Sequence, residues 1–572
     1  MSENMASTAA QSITSPASAG AEPTRLDGVC RVMGTETEYA VSLPGESRYN
    51  PVRLSFDVIE GAADPDRAHI RWDYRQEDPV NDARGMRLER AAARPDMLTD
   101  APQLNITNVI APNGGRMYVD HAHPEYSAPE TCDPFEAVRY DRAGDLLMQQ
   151  AAERAAAKLG RPIAIHRNNV DGKGASWGTH ENYMMLRSVP FDTVAALMTA
   201  HFVSRQIYTG SGRVGIGEHD DQAGYQLSQR ADYVHMRIGL QTTFDRPIIN
   251  TRDEPHADAD HRRLHVIVGD ANRMDVPQTL KLGVTSMLLW LAEHAETAGY
   301  DLDALLATLE LDDPVDAMHA VSHDLTLGRA LRLADGTETT AWNMQVRLRA
   351  AVYEAAALTY GVDTLGEPLW PNKPTRAIMA MWGQALADVA AVRHADDETR
   401  LTMQAEASRL EWLMKWQLLE RLRRRLRSGW DDMRIRAVNL RWAALDPAQS
   451  VFAKVERSTE RTVSDADVQA AMSRAPLDTR AWLRAAVVDR YPAQVVAASW
   501  SHLTVRRRTS GDEPPATYGN ASRTVTRPSD LCSLDMSDPL AFTAARMGPL
   551  TQRSRNAEEL IEEITAQLAA DR

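Results

Sequence analysis

Cysteine and net positive charge are both scarce in this 572-residue chain. The three cysteines, Cys30, Cys132 and Cys532, are too few and too scattered for a disulfide framework or a thiolate zinc site. Acidic residues outnumber basic residues by 79 to 64, which gives a net charge of −15. A general nucleic-acid binder needs a basic surface, so that class of protein is not expected here.

Long apolar runs are missing as well. No segment approaches the length of about 18 apolar residues that a membrane-spanning helix requires. The N-terminus has no basic segment followed by an apolar block, so we expect no signal peptide. These features predict a cytoplasmic protein, which we expect to be a monomer, with neither nucleic acid nor a membrane as its partner.

Common nucleotide-binding and catalytic patterns are also missing. Neither the P-loop pattern GxxxxGK[ST] nor the Rossmann pattern GxGxxG after a strand occurs in the chain. No local signature of a nucleophilic cysteine or serine is present either. Neither a P-loop site nor a Rossmann site is therefore implied.

Composition divides the chain into segments. Residues 1–28 are rich in small and polar residues and predict a disordered tail. A large domain over 29–474 follows, and it contains a polar insertion over 53–100 without a clear core-facing period. Residues 475–572 predict a small C-terminal domain, in which the segment near 507–555 reads as flexible loop.

A few elements of secondary structure are clear from the sequence. Strands are expected over 32–41 and 115–121, each bounded by turn residues. Asp133 and the proline after it predict the start of a helix that ends near Gly160. Short strand-like runs continue to about 270, and the text over 276–445 is helical.

The two predicted strands carry polar side chains at a spacing of two. Side chains two apart on a strand share a face, so Glu36 and Glu38 project together, and so do Arg116, Tyr118 and Asp120. Neighbouring carboxylates repel each other and, when buried, need a cation. A solvent-facing strand is the simpler explanation of the first pair alone. The second strand favours a site, and Asp120 is its best reactive candidate.

The metal at such a site would be magnesium or zinc. His121 and His123 suggest zinc, but no third histidine or cysteine lies at a suitable spacing. A carboxylate-rich set with few histidines suits Mg²⁺, which typically bridges nucleotide phosphates. The sequence therefore favours magnesium.

Glycine and arginine add to this set further along the chain. Gly172, Gly174 and Gly178 either let backbone approach a ligand or simply form turns, and His180 and Asn182 share one face of the next strand. Arginines suited to bidentate phosphate contact follow, and His265 lies in the middle of a strand. These arginines are Arg230, Arg246, Arg252, Arg262 and Arg263. Together the residues predict an ATP–magnesium site on a curved sheet.

Five motifs in this order resemble the Pup ligase and Pup deamidase/depupylase family. They lie within residues 29–505 and read MGTETEYAVSLPG, RMYVDHAHPEYSAPE, NNVDGKGASWGTHENY, RPIINTRDEPHAD and RRLHVIVGDAN. The resemblance implies an α+β fold of the glutamine-synthetase-like carboxylate–amine ligase type. Such a fold has a curved, mainly antiparallel β-sheet cradle packed with helices, plus a small C-terminal domain.

Two features are similar to the deamidase/depupylase branch of that family. The ligase branch lacks the polar insertion with RWDYRQEDPVNDARGM, and it has Gly-Ser in place of the His-Ala before HPEY. The chain departs from the family pattern at Ala40, where glycine is usual, and at Trp177, where tyrosine is usual. Neither departure touches the acidic residues.

The resemblance also implies roles for individual residues. It places Mg²⁺ among Glu36, Glu38, Tyr118, Glu125, His180 and His265. It places ATP, or ADP with phosphate, against Arg230, Arg252 and Trp500, and makes Asp120 the catalytic carboxylate. Arg116 and Asn182, on the same strand faces, are the other cofactor-binding candidates.

The implied reaction is hydrolysis of an amide at the C-terminal residue of Pup. The enzyme would deamidate the C-terminal Gln of Pup to Glu and would cut Pup from lysines of pupylated proteins, its two kinds of partner. Asp120 could attack the carbonyl carbon or act as a base on water, and the sequence does not separate these routes. A Pup–protein ligase that uses ATP and a non-enzymatic Pup-binding regulator are the alternatives.

Overall fold

The computed structural model describes residues 26–87, 107–507 and 528–570. Within these ranges the strands are β1 Met33–Glu38, β2 Ala40–Ser42, β3 Arg71–Trp72, β4 Asn108–Ile110, β5 Arg116–Asp120, β6 His123–Ser127, β7 Ala164–His166, β8 Thr179–Leu186, β9 Arg213–Ile216, β10 Gln222–Gln226, β11 Val234–Gly239, β12 Arg246–Asn250, β13 His261–Val266, β14 Leu331–Arg332, β15 Glu338–Thr339, β16 Val495–Ala498, β17 His502–Arg506 and β18 Leu531–Asp535.

The helices in the same ranges are α1 Pro51–Ala62, α2 Pro134–Leu159, α3 Phe191–Ser204, α4 Gln206–Thr209, α5 Asp275–Ala298, α6 Leu302–Ala307, α7 Pro314–His323, α8 Ala341–Tyr360, α9 Lys373–Arg393, α10 Asp397–Arg400, α11 Gln404–Ala407, α12 Glu411–Leu426, α13 Met433–Trp442, α14 Asp465–Ala471, α15 Ala481–Arg490, α16 Ala544–Arg553 and α17 Ala557–Ala570. None of these described helices combines the length and the apolarity that crossing a membrane requires.

A six-stranded sheet in the order β13-β8-β1-β6-β5-β4 is the centre of the molecule, and all of its pairs are antiparallel. Alternation along β1 turns Met33, Thr35 and Thr37 to one face, where they are buried. Helix α2 packs against that face so closely that a Cβ on Gly144 would overlap the ring of Tyr126. The opposite face is left for the polar residues of the same strands.

Helix α2 begins and ends as its sequence predicts. The Asp133 carboxylate accepts hydrogen bonds from the backbone N–H groups of Phe135 and Glu136, at 2.8 and 3.0 Å. Gly160 ends the helix in the left-handed region, with φ of 67°. The expected strands are confirmed as β1 with β2 and as β5, and the helical text after 276 is confirmed as α5 to α13.

The main hydrophobic core lies between the sheet and this helical part. Trp290, Trp382, Trp412 and Trp442 are all fully buried in it. Helices α3 and α4 also belong to this part, although the sequence up to residue 270 predicted only strand-like runs and turns. The long apolar stretch after Pro190 forms helix α3, ten of whose residues are buried.

A second, smaller core is formed mainly by residues 483–564. The insertion contributes Ile70 to it, and strand β3 of the insertion pairs in parallel with β16. Part of the insertion therefore packs into the C-terminal unit. Arg480 and Arg484 attach this unit to the sheet through Glu130, and their charges lower the pKa of Glu130 to about 2 although its burial acts in the opposite direction.

Two expectations about loops are wrong for the described residues. The segment 507–555 contains strand β18 and helix α16, where loop was expected; its residues 508–527 lie outside the description. The insertion 53–100 contains most of helix α1, whose apolar side packs against helix α2. Its residues 88–100 lie outside the description, as do residues 1–25 of the expected tail.

Candidate active site

Strand register brings the predicted acidic residues together on the polar face of the sheet. Glu36 lies opposite His180 of β8, and Glu38 lies opposite Glu125 of β6. Glu125 in turn lies opposite Tyr118 of β5. Directly opposed residues on paired strands project to the same face. The neighbouring strands β8, β1, β6 and β5 therefore contribute to one site.

Two histidines complete one part of this site. The Nδ1 atom of His180 lies 3.2 Å from Oε2 of Glu36, and the rings of His180 and His265 are 5.0 Å apart, edge to face. His265 Nδ1 donates to Oδ1 of Asn182 at 2.9 Å, which leaves its Nε2 as an acceptor. The ligand atoms of Glu36, His180 and His265 lie within 4.8 Å of one another, so they could hold a metal ion.

Asp120 lies at the end of β5 beside a strained turn. Asp120 pairs with His123, so His121 and Ala122 form a two-residue hairpin turn. His121 has a φ of 51°, a conformation that favours glycine at this position. Its Nδ1 lies 2.8 Å from Oδ2 of Asp120, and the side chain of Asp120 is 32% exposed. The turn thus places an imidazole directly beside the candidate reactive carboxylate.

The charges of the site are incompletely compensated. Burial and three neighbouring carboxylates raise the pKa of Glu125 well above its ordinary value. Burial acts in the same direction on Glu36 and Asp120. Their hydrogen bonds with His180 and His121, respectively, together with the charges of neighbouring histidines and arginines, outweigh it and lower both pKa values. A cluster that can ionise only some of its carboxylates fits a divalent cation, and its oxygen-rich donors suit Mg²⁺.

The site opens into a cavity of about 350 Å³. Its lining includes nearly all of the residues predicted for this site: Glu36, Arg116, Tyr118, Asp120, Glu125, His180, Arg252, His265 and Trp500. A second cavity of about 130 Å³ shares Asp120 and His180 with it and extends to Glu38 and Arg230. A third, of about 90 Å³, shares Glu36 and Trp500 with the first and extends to Asn182. Asp120 therefore lies where the two larger cavities meet.

The predicted arginines differ in what they contact. Arg252 lines the largest of these three cavities; its buried Nε lies 3.8 Å from Oε2 of Glu254 and makes no hydrogen bond among the described residues. Arg230 lies at the second cavity, and its guanidinium donates to the carbonyl oxygens of Trp177 and Ile267 at 2.6 and 2.8 Å. Burial lowers the pKa of Arg230 to about 9. Arg230 thus holds backbone next to the site, while Arg252 faces the cavity.

Arg263, another of the predicted arginines, also lies at the site, where it donates to Asn182 Oδ1 at 3.1 Å and to Glu254 Oε2 at 3.2 Å. Two residues of the insertion were not among the predicted ones. Tyr74 and Glu77 line the same cavity as Arg252. No pattern in their polar segment indicated that they would reach the sheet.

A family model described as Pup-ligase protein matches residues 31–504. A protein of Mycolicibacterium smegmatis named Pup deamidase/depupylase is 40% identical over 543 residues, which cover 94% of this chain and 99% of that protein.

Two solved structures are similar to the chain. The crystal structure of the complex between prokaryotic ubiquitin-like protein Pup and its ligase PafA matches with a TM-score of 0.68 and 26% identity, covering 94% of this chain and 93% of that one. The structure of the Pup ligase PafA in complex with ADP matches with a TM-score of 0.62 and 28% identity, covering 80% and 90%. The predicted α+β fold class is confirmed.

Proposed function

Because the chain belongs to the Pup-ligase protein family, we propose that it is a nucleotide- and Mg²⁺-dependent hydrolase of the deamidase/depupylase kind. It deamidates the C-terminal Gln of Pup and cleaves the isopeptide bond between Pup and target lysines. One observation of the structure supports this best. Asp120 is part-exposed at the junction of two cavities, beside a cluster of carboxylates that needs a cation.

The residues fit the cofactors that this proposal requires. Glu36, Glu38, Tyr118, Glu125, His180 and His265 would hold Mg²⁺, and Arg116, Asn182, Arg230, Arg252 and Trp500 would contact the nucleotide or support the residues that do. The position of Arg252 in the lining of the 350 Å³ cavity and the raised pKa of Glu125 support this assignment. When bound, the metal and the phosphates supply positive charge and hydrogen-bonding groups that orient and polarise the substrate amide.

Asp120 acts on the amide as an ionised carboxylate. As a nucleophile, its oxygen attacks the side-chain carbonyl carbon of the C-terminal Gln, and the C–N bond breaks. The nitrogen takes a proton and leaves as ammonia, or as the lysine amine of a conjugate. Water then splits the resulting anhydride and yields Glu and free Asp120. As a base, Asp120 instead takes a proton from a water molecule whose oxygen bonds to the carbonyl carbon. The C–N bond then breaks, and the proton passes from Asp120 to the leaving nitrogen. Neither route consumes nucleotide.

A Pup–protein ligase is the second candidate, since the solved PafA structures share the fold. Two observations favour the hydrolase. The relative named Pup deamidase/depupylase is 40% identical over 94% of this chain, whereas a relative of Micrococcus luteus named Pup–protein ligase is 37% identical over only 67% of it. Residues of the insertion line the largest cavity, so the feature that distinguishes the deamidase/depupylase branch belongs to the site itself.

One assay separates the candidates. The protein is incubated with ATP, Mg²⁺ and Pup ending in Gln, and ammonia is measured; Pup ending in Glu is tested in parallel for conjugates and ATP turnover. Ammonia release supports the hydrolase, whereas conjugates with ATP turnover would establish a ligase. Pup binding without ammonia or conjugates would favour a non-enzymatic Pup-binding regulator.

A single-turnover reaction in ¹⁸O water then tests the role of Asp120. Label recovered in the Asp120 carboxylate indicates the anhydride route, and label only in the new Glu indicates water activation. The monomeric state and the cytoplasmic location remain proposals as well. Light scattering on the purified protein tests the first.

A further inference from the structure

The guanidinium of Arg116 is held mainly by residues of the insertion. It lies 4.2 Å from the ring centre of Trp72 and 3.9 Å from that of Tyr118, so it is clamped between two aromatic rings. Its Nη2 donates to the hydroxyl of Tyr74 at 3.1 Å, and its Nη1 lies 3.6 Å from Glu77. Its Nε donates to Oδ1 of Asn108, on the neighbouring strand β4, at 2.7 Å. Three of these five residues belong to the insertion, although Arg116 itself lies on the central sheet.

The same segment is fixed at its first end to the C-terminal unit. Backbone pairing joins Arg71 and Trp72 to β16, and the N–H of Asp73 donates to the carbonyl oxygen of Ala498 at 2.9 Å. The ring of Trp72 also contacts Trp500 edge to face, at 5.1 Å between ring centres. The position of Trp72 over Arg116 is therefore set by rigid structure rather than by a free loop.

At its other end the segment binds the loop that carries Arg252. The side-chain nitrogen of Asn81 donates to the carbonyl oxygen of Asp253 at 2.9 Å, and the Asp253 N–H donates back to the Asn81 carbonyl at 3.0 Å. The hydroxyl of Thr251 donates to Asp82 at 2.9 Å. Contacts on both sides of Arg252 thus fix its backbone.

We propose that residues 71–82, here called the strap, position Arg116 and Arg252, which both line the 350 Å³ cavity, to grip the phosphates of a nucleotide. The inference rests on the proposed function, and it makes the strap a part of the nucleotide site. A guanidinium near several carboxylates would otherwise turn towards them. Two aromatic rings, the Tyr74 hydroxyl and Oδ1 of Asn108 hold that of Arg116 in one position at the cavity lining, which lowers the entropic cost of binding a ligand there.

A double-mutant cycle tests the positioning role. Mg²⁺–ADP affinity is measured by calorimetry for wild type, Tyr74→Phe, Arg116→Lys and the double variant. Loss of a charge-assisted hydrogen bond predicts that Tyr74→Phe weakens ADP binding about 10-fold in the wild-type background and less than about twofold in the Arg116→Lys background. Equal weakening in both backgrounds, or none, would overturn the inference.

Two further variants separate positioning from general stability. Arg154→Gln changes an exposed side chain of helix α2, outside the strap, and should leave both ADP affinity and the melting temperature unchanged. Trp72→Leu should weaken ADP binding, and Trp72→Phe, which keeps an aromatic face, should restore most of it. If Tyr74→Phe lowers the melting temperature but not ADP affinity, the strap is merely structural and the inference is wrong.

The inference and the proposed function fail in different ways. Wild-type protein that binds Mg²⁺–ADP but releases no ammonia from Pup contradicts the function, and the cycle still decides the role of the strap. Wild-type protein that releases ammonia while the cycle shows additive effects keeps the function and rejects the strap. Wild-type protein that binds no nucleotide contradicts both.

Discussion

The two faces of the central sheet both carry buried charge, but they balance it differently. Behind the sheet, Arg167 donates to Asp141 at 2.7 Å and to Asp145 at 3.0 Å, and Tyr39 adds a hydrogen bond to Asp145 at 2.9 Å. Both of these carboxylates have a cation and a hydrogen-bond donor. On the polar face Glu125 lies among carboxylates, and its pKa is raised.

This difference distinguishes a structural network from a site. Buried charges that satisfy one another hold elements together and have no capacity left for a ligand. Carboxylates that cannot all ionise lower the stability of the unliganded protein, and a cation relieves them. The two faces therefore predict opposite responses to mutation.

The largest expected effect is at Asp120. Asp120→Asn removes the nucleophile or base, so ammonia release should fall by about 10²- to 10⁴-fold. Nucleotide affinity and melting temperature should stay near wild type, because the amide keeps the shape of the side chain. Asp192→Asn, a change at an exposed carboxylate of helix α3, serves as the matched control. An active Asp120→Asn enzyme would remove Asp120 from its proposed role.

For the buried network behind the sheet, the expected effect of mutation is a loss of stability. Arg167→Ala leaves two carboxylates buried without their cation, and we expect the free energy of unfolding to fall by about 3–5 kcal/mol. Urea denaturation measures this value. Lys158→Ala breaks an exposed ion pair with Glu60 and should cost no more than about 1 kcal/mol. Equal losses for the two variants would mean that the buried network contributes little.

On the polar face, the corresponding change should stabilise the metal-free protein. The native state binds the Glu125 proton more tightly than the unfolded state does, so stability falls as pH rises above the ordinary glutamate pKa. Glu125→Gln removes this term and should raise stability near pH 8 by about 1–2 kcal/mol. Melting curves in EDTA between about pH 5 and about pH 8 test this prediction.

The variant should also lose Mg²⁺-dependent stabilisation, since an amide replaces a charged ligand. Glu153→Gln, the same change at an exposed position of helix α2, serves as the matched control. A metal-free Glu125→Gln protein less stable than wild type at every pH would contradict the account of the charge balance.

The smallest effect is expected at the turn beside Asp120. His121→Gly relieves a left-handed residue but adds freedom to the unfolded chain, so stability should change by less than about 1 kcal/mol. Activity should fall several-fold because the hydrogen bond to Asp120 is lost. His121→Asn tolerates the same backbone and should recover part of the activity. Unchanged activity in His121→Gly would show that the imidazole does not orient Asp120.

Local patterns predicted much of this structure. The spacing of two residues placed Glu36 with Glu38 on one face, and Asp133 with Gly160 marked both ends of helix α2. These features depend only on neighbours in the chain. The motifs of the family then connected the separate strands into one site.

Contacts between distant segments were not predictable in this way. Arg116 contacts the ring of Trp72 and the hydroxyl of Tyr74, which lie more than forty residues earlier in the chain. The polarity of their segment indicated a loop. Whether an arginine faces a cavity or donates to backbone carbonyls depends on the packing of the whole fold. For that reason Arg230 and Arg252 looked alike in the sequence and differ in the structure.

The most direct test of the central claim is an Mg²⁺ titration at constant ATP. Ammonia release from Gln-terminated Pup and the melting temperature are measured in the same samples, with Glu36→Gln as the comparison. We predict that both signals rise with the same Mg²⁺ midpoint in the wild type and that neither rises at these concentrations in the variant. Full ammonia release in EDTA would contradict the claim that the polar face works by binding a cation.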